Sequence, residues 1–416
     1  MHDTGGGSST LSVSLEKLLI YRLVRRSGLY SPIVLILALP TIVLLYFIKK
    51  AILIRFGEIP GRLGHMSSDL DTYISLKRIE SPTRTRKIDF LCKPSSGIHF
   101  NEALIFRCSR SLNVLPRLLV VPFNIVINEI QTFNVHRLNL TPPNLFTGEL
   151  NATIHNLSSP IRIEKHEIQV IQSELERRSI PSTNLIVLAL RDSLFSSDLL
   201  GTKDTYTSYR NLDEIQSKTL IVELARLGFG VVRAGSKARE LEIDHDVMFW
   251  DYANSKVQSD SNDLVLFSVA NFCIGCDTGL HELAFLNRKP LYLIATPAFT
   301  NKLTSPLLRL VAYCDFLDSN TNNPIGLAEM RDRGVFSATG PEHFKRIGVR
   351  PSRMHEDDIS NFAREVYEFE NGFWEESAES SEIKKVFLDY LEPYGFRKDS
   401  KFRFPNYWSK KSNWLS

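Results

Sequence analysis

Three arginines between residues 191 and 233 lie at the end of an apolar run or before a predicted helix. Arg191 follows the run at residues 184–190, Arg210 precedes a predicted helix, and Arg233 ends the run at residues 229–233. A guanidinium offers a planar fork of N–H donors that matches the oxygens of a phosphate. This pattern indicates a site for an anion with several oxygens, such as a diphosphate.

A fourth group completes this pattern. Asp277, Thr278 and Gly279 follow the apolar run Phe272–Gly275 and open a predicted helix, whose first N–H groups suit an anion. Asp277 or Thr278 is also the expected N-cap of that helix. Because the carboxyl ends of parallel strands meet at one edge of a sheet, we expect these groups to lie together. The candidate site also includes their neighbours, namely Asp192, Tyr209, Asn211 and Gly235. Each member alone has a structural alternative, such as an ion pair between Arg191 and Asp192.

The loop at residues 57–65 is the second candidate site. Gly57, Gly61 and Gly64 let a ligand approach the backbone closely, although their spacing is not that of the dinucleotide fingerprint. The same loop contains Arg62. Glu58 and His65 are its two groups able to take a proton from a hydroxyl. His65 also starts a predicted helix, so a structural role for it stays open.

Other motifs do not support a metal site. Cys273 and Cys276 have the spacing of a zinc pair, but no second pair follows. An Asp-x-Asp pair at Asp69 lies within a predicted helix, and the pair at Asp244 precedes an apolar run instead of ending one. We therefore predict no metal.

Alternating strands and helices position these residues from residue 184 onward. Strands of this type separated by helices of 10–15 residues predict a parallel sheet. The predicted strands are 184–190, 229–233, 247–250, 272–275 and 291–295, and the predicted helices are 164–178, 213–227, 261–270, one from about 278 and one at 356–370.

The part before residue 184 predicts a similar but less regular domain. A strand at 51–56 leads through the glycine loop into a helix, with further strands at 88–91 and 118–121 and a helix at 101–109. Residues 122–160 have no clear period and are predicted to form loops. Residues 179–183 are the predicted linker.

An uncharged segment from Ser27 to Ile48 is long enough to be a membrane helix. Pro40 should kink it, since proline removes a backbone hydrogen bond. Basic residues flank both ends, which leaves open a spanning helix or a re-entrant segment held in one leaflet. Residues 11–24 have the pattern of an interfacial helix. The alternative is a helix buried in the protein core.

Composition limits the class of partner. The 416 residues suit two domains, and the net charge of +3 is too small to indicate nucleic acid. Residues 1–86 hold 12 basic and 6 acidic side chains, so the positive charge is concentrated before the main body. Five cysteines do not form a disulfide framework and fit a reducing compartment.

Four blocks in this order resemble an uncharacterised bacterial family of glycosyltransferases assigned to surface-polysaccharide gene clusters. The blocks are residues 55–65, residues 191–192 with 209–211, residues 232–235 and residues 272–279. The stretch from Asp277 to Pro290 is also similar to the nucleotide-sugar site of heptosyltransferases. Those enzymes have the GT-B architecture, with two Rossmann-like domains facing a cleft, and use no metal.

The resemblance implies roles for individual residues. Asp277, Thr278 and Gly279 would contact the donor diphosphate, and the loop with Gly57, Gly61, Arg62 and Gly64 would face the acceptor. Heptosyltransferases place an acidic base in their first strand-to-helix loop, where Glu58 is the only acid here. The base stays open between Glu58 and His65.

The sequence therefore predicts an α/β, GT-B-like chain: an anchor at 1–50, an acceptor-side domain at 51–180, a nucleotide-sugar domain at 181–354, and a crossing helix and tail at 355–416. We expect a metal-independent glycosyltransferase without a cofactor, on the cytoplasmic side of the cell inner membrane. It would move sugar from a nucleotide sugar to a glycan or lipid-linked glycan. A non-catalytic nucleotide-sugar-binding scaffold and a metal-dependent GT-A transferase are the alternatives.

Overall fold

The chain forms two compact units. The computed structural model describes residues 28–81, 84–95, 100–140, 149–191, 194, 210–236, 238–297, 303–338, 340–394, 400–411 and 413–415. The first unit comprises Met1–Arg62, Thr72–Phe100 and Ile105–Pro142, and the second comprises Leu63–Asp71, Asn101–Leu104 and Pro143–Ser416. The predicted interfacial helix at 11–24, Asp192 and Tyr209 lie outside the described residues.

Up to residue 140 the elements are α1 (Leu39–Ile48), β1 (Ile52–Glu58), α2 (Leu63–Ile79), β2 (Arg86–Cys92), α3 (Glu102–Cys108) and α4 (Arg117–Glu129). In the first unit β1 and β2 pair in parallel. Isolated parallel bridges from β1 to Arg137 and from β2 to Val114 extend this pair on both sides. The strand–loop–helix opening predicted for residues 51–74 is confirmed.

A buried polar network fixes the register of β1 and β2. Arg55 lies opposite Asp89 in the register, and its guanidinium donates to both carboxylate oxygens, at 2.7 and 2.9 Å. The Tyr73 hydroxyl donates to the same carboxylate at 2.5 Å. Burial alone would raise the pKa of Asp89, but these hydrogen bonds hold it below its usual value. The network therefore keeps a charged carboxylate inside the unit.

Two predictions for this part of the chain are wrong. Residues 118–121 belong to helix α4, because Val120, Val126 and Ile127 lie about two turns apart and bury one helical face. A short apolar run has no period of its own, so it fits a strand and a buried helix equally. Residues 122–160 are also not all loop, since they hold most of α4, a 3₁₀ helix at Gln131–His136 and α5 (Glu149–His155).

The apolar segment changes its hydrogen-bonding pattern before Pro40. It passes from a 3₁₀ turn at Gly28–Tyr30 through an α turn at Ser31–Ile33 and a π turn at Val34–Ala38 into α1. In the π turn the Leu39 N–H bonds to the Val34 carbonyl, which places Pro40 in the first turn of α1, where no donor is needed. In the part of the chain that the structure describes, no helix is long and apolar enough to cross a membrane. The expected membrane helix is therefore not found.

The second unit contains a six-stranded parallel sheet in the order β5-β4-β3-β6-β7-β8. This is the Rossmann strand order, with a switch point between β3 and β6. The strands are β3 (Leu185–Ala189), β4 (Gly230–Arg233), β5 (Phe249–Trp250), β6 (Phe272–Gly275), β7 (Leu291–Thr296) and β8 (Leu308–Tyr313); β9 (Phe316–Asp318) and β10 (Val349–Pro351) form a separate antiparallel pair.

The helices that follow α5 are short to medium in length. They are α6 (Lys165–Arg177), α7 (Glu214–Arg226), α8 (Asp260–Val269), α9 (Glu282–Leu286), α10 (Leu327–Asp332), α11 (Pro341–Arg346), α12 (Glu356–Glu370), α13 (Ala378–Leu391) and α14 (Asn406–Lys411). The predictions for α6, α7, α8 and α12 are confirmed. Asp213 starts α7 with a capping box, and Ser259 caps α8.

Helix α12 belongs to the second unit. Ile359, Phe362 and Val366 are fully buried in the core cluster that also contains Leu220 and Leu224 of α7. These apolar side chains recur at helical spacing, and they fasten α12 to α7. Helix α12, which was predicted as a crossing helix, therefore packs in the core of the second unit.

Candidate functional site

The switch point of the six-stranded sheet brings two predicted loops together. Arg191 follows β3 and Cys276 follows β6, and the Arg191 N–H donates to Cys276 Sγ at 3.0 Å. The Cys276 N–H bonds to the Ala189 carbonyl at 3.3 Å. Burial raises the pKa of Cys276 to about 12, so its side chain is a neutral thiol. Cys276 therefore joins the two strand ends instead of acting as a nucleophile.

The segment at residues 210–212 lies across these strand ends. Asn211 Oδ1 accepts a hydrogen bond from Arg191 Nε at 3.1 Å, and the Leu212 N–H bonds to the Arg191 carbonyl at 3.0 Å. Arg210 Nε lies 3.2 Å from Asp277 Oδ2, and both side chains are partly exposed. The structure therefore brings together Arg191, Arg210, Asn211 and Asp277, which are separated by up to 86 positions in the sequence.

The turn after β6 is strained and tightly packed. Asp277 has a positive φ of 33°, a conformation that costs a non-glycine residue about 1–2 kcal/mol. Thr278 caps the next turn by accepting from the Leu280 N–H at 3.4 Å. Instead of a regular helix from 278, a 3₁₀ turn at Gly279–His281 precedes the short helix α9. Strain of this kind is typical of binding loops.

Two glycines allow the start of α2 to touch this turn. A Cβ on Gly64 would lie 2.7 Å from the Gly279 Cα, and one on Gly279 would lie 2.9 Å from the Gly64 nitrogen. His65, the next residue along, is exposed. Gly235 has a φ of 123° and lies against Leu280, where a Cβ would be 3.6 Å from Leu280 Cδ2. Three of the predicted loops therefore meet at residues 279–280.

Arg233 has a different environment. It is only 4% exposed, and its guanidinium binds both oxygens of Asp251, at 2.9 and 2.6 Å. The same guanidinium donates to the Arg239 carbonyl at 2.6 Å. Asp251 follows β5, the neighbour of β4, so the pair joins two adjacent strand ends. The geometry favours a structural role for Arg233.

In the first unit, Glu58 ends β1 and is ion-paired with Arg117 at 2.5 Å. Arg117 also donates to the Lys93 carbonyl at 2.6 Å. Gly57 is buried, and a Cβ there would lie 2.9 Å from the Leu138 carbonyl oxygen, so the close approach is to this chain's own backbone. Gly61 is partly buried, and Arg62 is exposed and precedes α2.

Sequence reasoning missed two participants in these contacts. Cys276 was considered only as half of a zinc pair, although its place directly after a strand was a usable signal. Asp251 follows the predicted strand at 247–250, and an acid at that position could have been matched with Arg233. Among the described residues, no group of three or more His, Cys, Asp or Glu side chains could hold a metal ion.

Comparisons with known proteins find similarities to solved structures only. No protein-family model matches the sequence, and no curated protein matches it. ADP-heptose LPS heptosyltransferase II of E. coli is 14% identical with a TM-score of 0.40, covering 63% of this chain and 92% of that chain. A family 9 glycosyl transferase of Veillonella parvula is 11% identical with a TM-score of 0.34, covering 60% and 83%.

The iron-containing dodecameric glycosyltransferase TibC of enterotoxigenic E. coli is 14% identical with a TM-score of 0.31, covering 64% of this chain and 63% of that chain. All three structures are glycosyltransferases by name. Similarities with TM-scores this low do not establish a shared fold, so the function proposed below is inferred from the residues of this chain.

Proposed function

We propose that this chain is a glycosyltransferase whose donor is a nucleotide diphosphate sugar, bound at the carboxyl edge of the six-stranded sheet. One observation carries the proposal: at the β3/β6 switch point the Arg191 backbone bonds to Cys276, and Arg210 Nε lies 3.2 Å from Asp277 in the next turn. Ligands of open α/β sheets bind at this position. Two guanidinium groups there match the charge and the oxygens of a diphosphate.

The chemistry of transfer explains why arginines would be needed. The bond between the anomeric carbon of the sugar and the diphosphate oxygen breaks, and its electron pair stays on the leaving diphosphate. Negative charge therefore grows on the diphosphate in the transition state. Arg191 and Arg210, held by Asn211 and Asp277, are positioned before the reaction, which is the condition for electrostatic stabilisation.

Of the two candidate bases, the geometry favours His65. Its neighbour Gly64 touches the Gly279 turn, and His65 is exposed. Glu58 is already held by Arg117. In this proposal the acceptor hydroxyl attacks the anomeric carbon, and the imidazole of His65 takes the hydroxyl proton.

The finer parts of the proposal rest on the sequence resemblance. They are a GT-B arrangement without a metal, a glycan acceptor that is lipid-linked, and a place at the cytoplasmic side of the cell inner membrane in surface-polysaccharide synthesis. Exposed apolar side chains between residues 36 and 47 support a lipid environment for the acceptor.

Turnover by the full chain tests the proposal. Release of nucleoside diphosphate is measured with a panel of nucleotide sugars and a lipid-linked glycan extract as acceptor. His65→Gln should lower kcat by about 10²–10⁴-fold. The matched control is His166→Gln, which changes an exposed histidine in the first turn of α6 and should leave kcat unchanged.

Each outcome that contradicts the proposal points to a different alternative. Loss of activity in Glu58→Gln but not in His65→Gln would move the base to Glu58. Binding of nucleotide sugars without turnover by any acceptor would support the scaffold alternative. If no nucleotide or nucleotide sugar bound at all, the proposed donor site would be wrong. Loss of activity in a chelator would favour a metal-dependent transferase.

A further inference from the structure

The helical segment at residues 28–48 has two apolar faces, of which one is buried and the other is exposed. One stripe consists of Val34, Ala38, Ile42 and Leu45, all at most 8% exposed. These side chains pack in the first unit's core with Phe56 and other residues of β1, β2 and α4. Their spacing of three or four residues runs over three turns, so the segment is fastened to the unit along this length.

The opposite side, here called the outer face, is exposed although it is apolar. It consists of Ile36, Leu37, Leu44 and Phe47, which are 59–76% exposed. Large apolar side chains are normally exposed singly, whereas four on one short segment mark an interaction surface. No charged residue occurs anywhere in residues 27–48.

The apolar surface continues on a neighbouring helix of the same unit. Helix α4 packs against the π turn at Val34–Ala38. Its first turn exposes Leu118 and Leu119, each at 53%. Exposed apolar side chains therefore occur on two packed helical segments of the first unit.

Charge identifies the class of partner. Lys49 and Lys50 follow the outer face directly, and Arg22, Arg25 and Arg26 precede it in the sequence. No acidic residue occurs between Glu16 and Glu58. An apolar surface that is followed by Lys49 and Lys50 and lies in a stretch of sequence without acids matches an anionic lipid bilayer, whose acyl chains and negative head groups suit these two features.

We propose that the outer face docks on an anionic bilayer with the segment lying in the plane of the membrane. The buried stripe holds the segment against the first unit, so Leu37 and Phe47 would enter the lipid at similar depth. This inference rests on the proposed function in one respect: membrane docking would bring the chain to a lipid-linked acceptor. Vesicle binding itself requires no transferase activity.

Flotation of the full chain with vesicles tests the surface. We expect the wild type to float with vesicles of phosphatidylcholine and phosphatidylglycerol, and less with phosphatidylcholine alone. Phe47→Ser and Leu44→Ser should each weaken binding about tenfold, since each removes one apolar side chain from the lipid contact. Phe373→Ser is the matched control, because Phe373 is 73% exposed in the second unit, and it should bind as the wild type does.

Lys50→Glu should reduce binding to the anionic vesicles and leave binding to phosphatidylcholine alone unchanged. Equal flotation of the Phe47→Ser and Phe373→Ser variants would overturn the proposal. A wild-type dimer that Phe47→Ser dissociates, with flotation unchanged, would overturn it too and make the outer face an interface between copies. Flotation as expected without any transferase activity would contradict only the proposed function.

The depth of two spin labels tests the in-plane orientation. The five native cysteines are all buried, so Leu37→Cys and Phe47→Cys can be labelled selectively. Both labels should lie at about the same depth, roughly 5–10 Å into the interface. In a spanning helix a difference of ten positions would separate the labels by about 15 Å, and that result would overturn the in-plane orientation.

Discussion

The carboxyl ends of β3 and β4, two neighbouring strands, each carry an arginine in a different environment. Arg191 after β3 is partly exposed and donates to a neutral amide, Asn211. Arg233 at the end of β4 is buried and donates to both oxygens of a carboxylate, Asp251. Asn211 carries no charge, whereas the negative charge of Asp251 compensates that of Arg233.

The difference shows what a strand-end position can and cannot predict. Both arginines were expected at one edge of one sheet, and both lie there. Only Arg191 borders β6, where the strand order reverses and a crevice for a ligand opens. Arg233 lies one strand away, beside the end of β5, where its guanidinium donates to Asp251. We therefore propose that the neighbour across the sheet decides whether an arginine at a strand end serves a ligand or the protein's own structure.

The largest expected effect is on stability at β4. Arg233→Ala leaves the Asp251 carboxylate without its partner in a mostly buried position, and we expect the free energy of unfolding in urea to fall by about 2–4 kcal/mol. Arg226→Ala is the control, because Arg226 forms a largely exposed pair with Glu223. It should change the free energy of unfolding by less than about 0.5 kcal/mol. A stable Arg233→Ala variant that has lost nucleotide binding would show that Arg233 serves the ligand and not the structure.

At the end of β3 we expect a loss of ligand affinity instead of a loss of stability. Arg191→Ala and Arg210→Ala should each weaken binding of a nucleoside diphosphate by about 1.5–3 kcal/mol, because each removes a charge-assisted hydrogen bond to phosphate. Calorimetric titration measures the affinity, and urea unfolding should show a stability loss below about 1 kcal/mol. Affinity equal to that of the wild type in both variants would remove Arg191 and Arg210 from the site.

The glycine contact between α2 and the turn after β6 should respond to added volume. Gly279→Ala and Gly64→Ala each place a methyl group into the same backbone contact, and each should cost about 1–3 kcal/mol of unfolding free energy. Because both methyl groups enter one gap, the double variant should cost clearly less than the sum of the two. Fully additive losses would mean that the two glycines do not share a contact.

A smaller effect on stability, which depends on pH, compares a carboxylate that has an arginine partner with one that is buried in α8. Asp251 is ion-paired with Arg233, whereas burial raises the pKa of Asp263 to about 7. Between about pH 4 and 7 the folded state keeps a proton that the unfolded state has released, so stability falls as pH rises. Asp263→Asn should remove this slope and add about 1 kcal/mol at pH 8, measured by urea unfolding across pH. An unchanged slope would contradict this role of Asp263.

The sequence alone predicted the second unit well for a physical reason. Helices α7 and α12 have apolar residues at helical spacing and capping residues, so local preference and tertiary packing agree there. At 118–121 four apolar residues carry no period, and only the packing of Val120 and the residues beyond it decides for a helix. In the candidate site, the strand ends were predictable, but the partner of each arginine depends on contacts between distant residues.

The central claim is that a nucleoside diphosphate binds at the β3/β6 switch point, and hydrogen exchange of the full chain tests it most directly. Exchange is followed by mass spectrometry with and without ADP, CDP, GDP or UDP in turn. We predict that one of them slows exchange at residues 189–191, 210–212 and 275–280, with no change at residues 230–233, the strand that ends at Arg233. Protection at 230–233 without protection at 210–212 and 275–280 would contradict the claim.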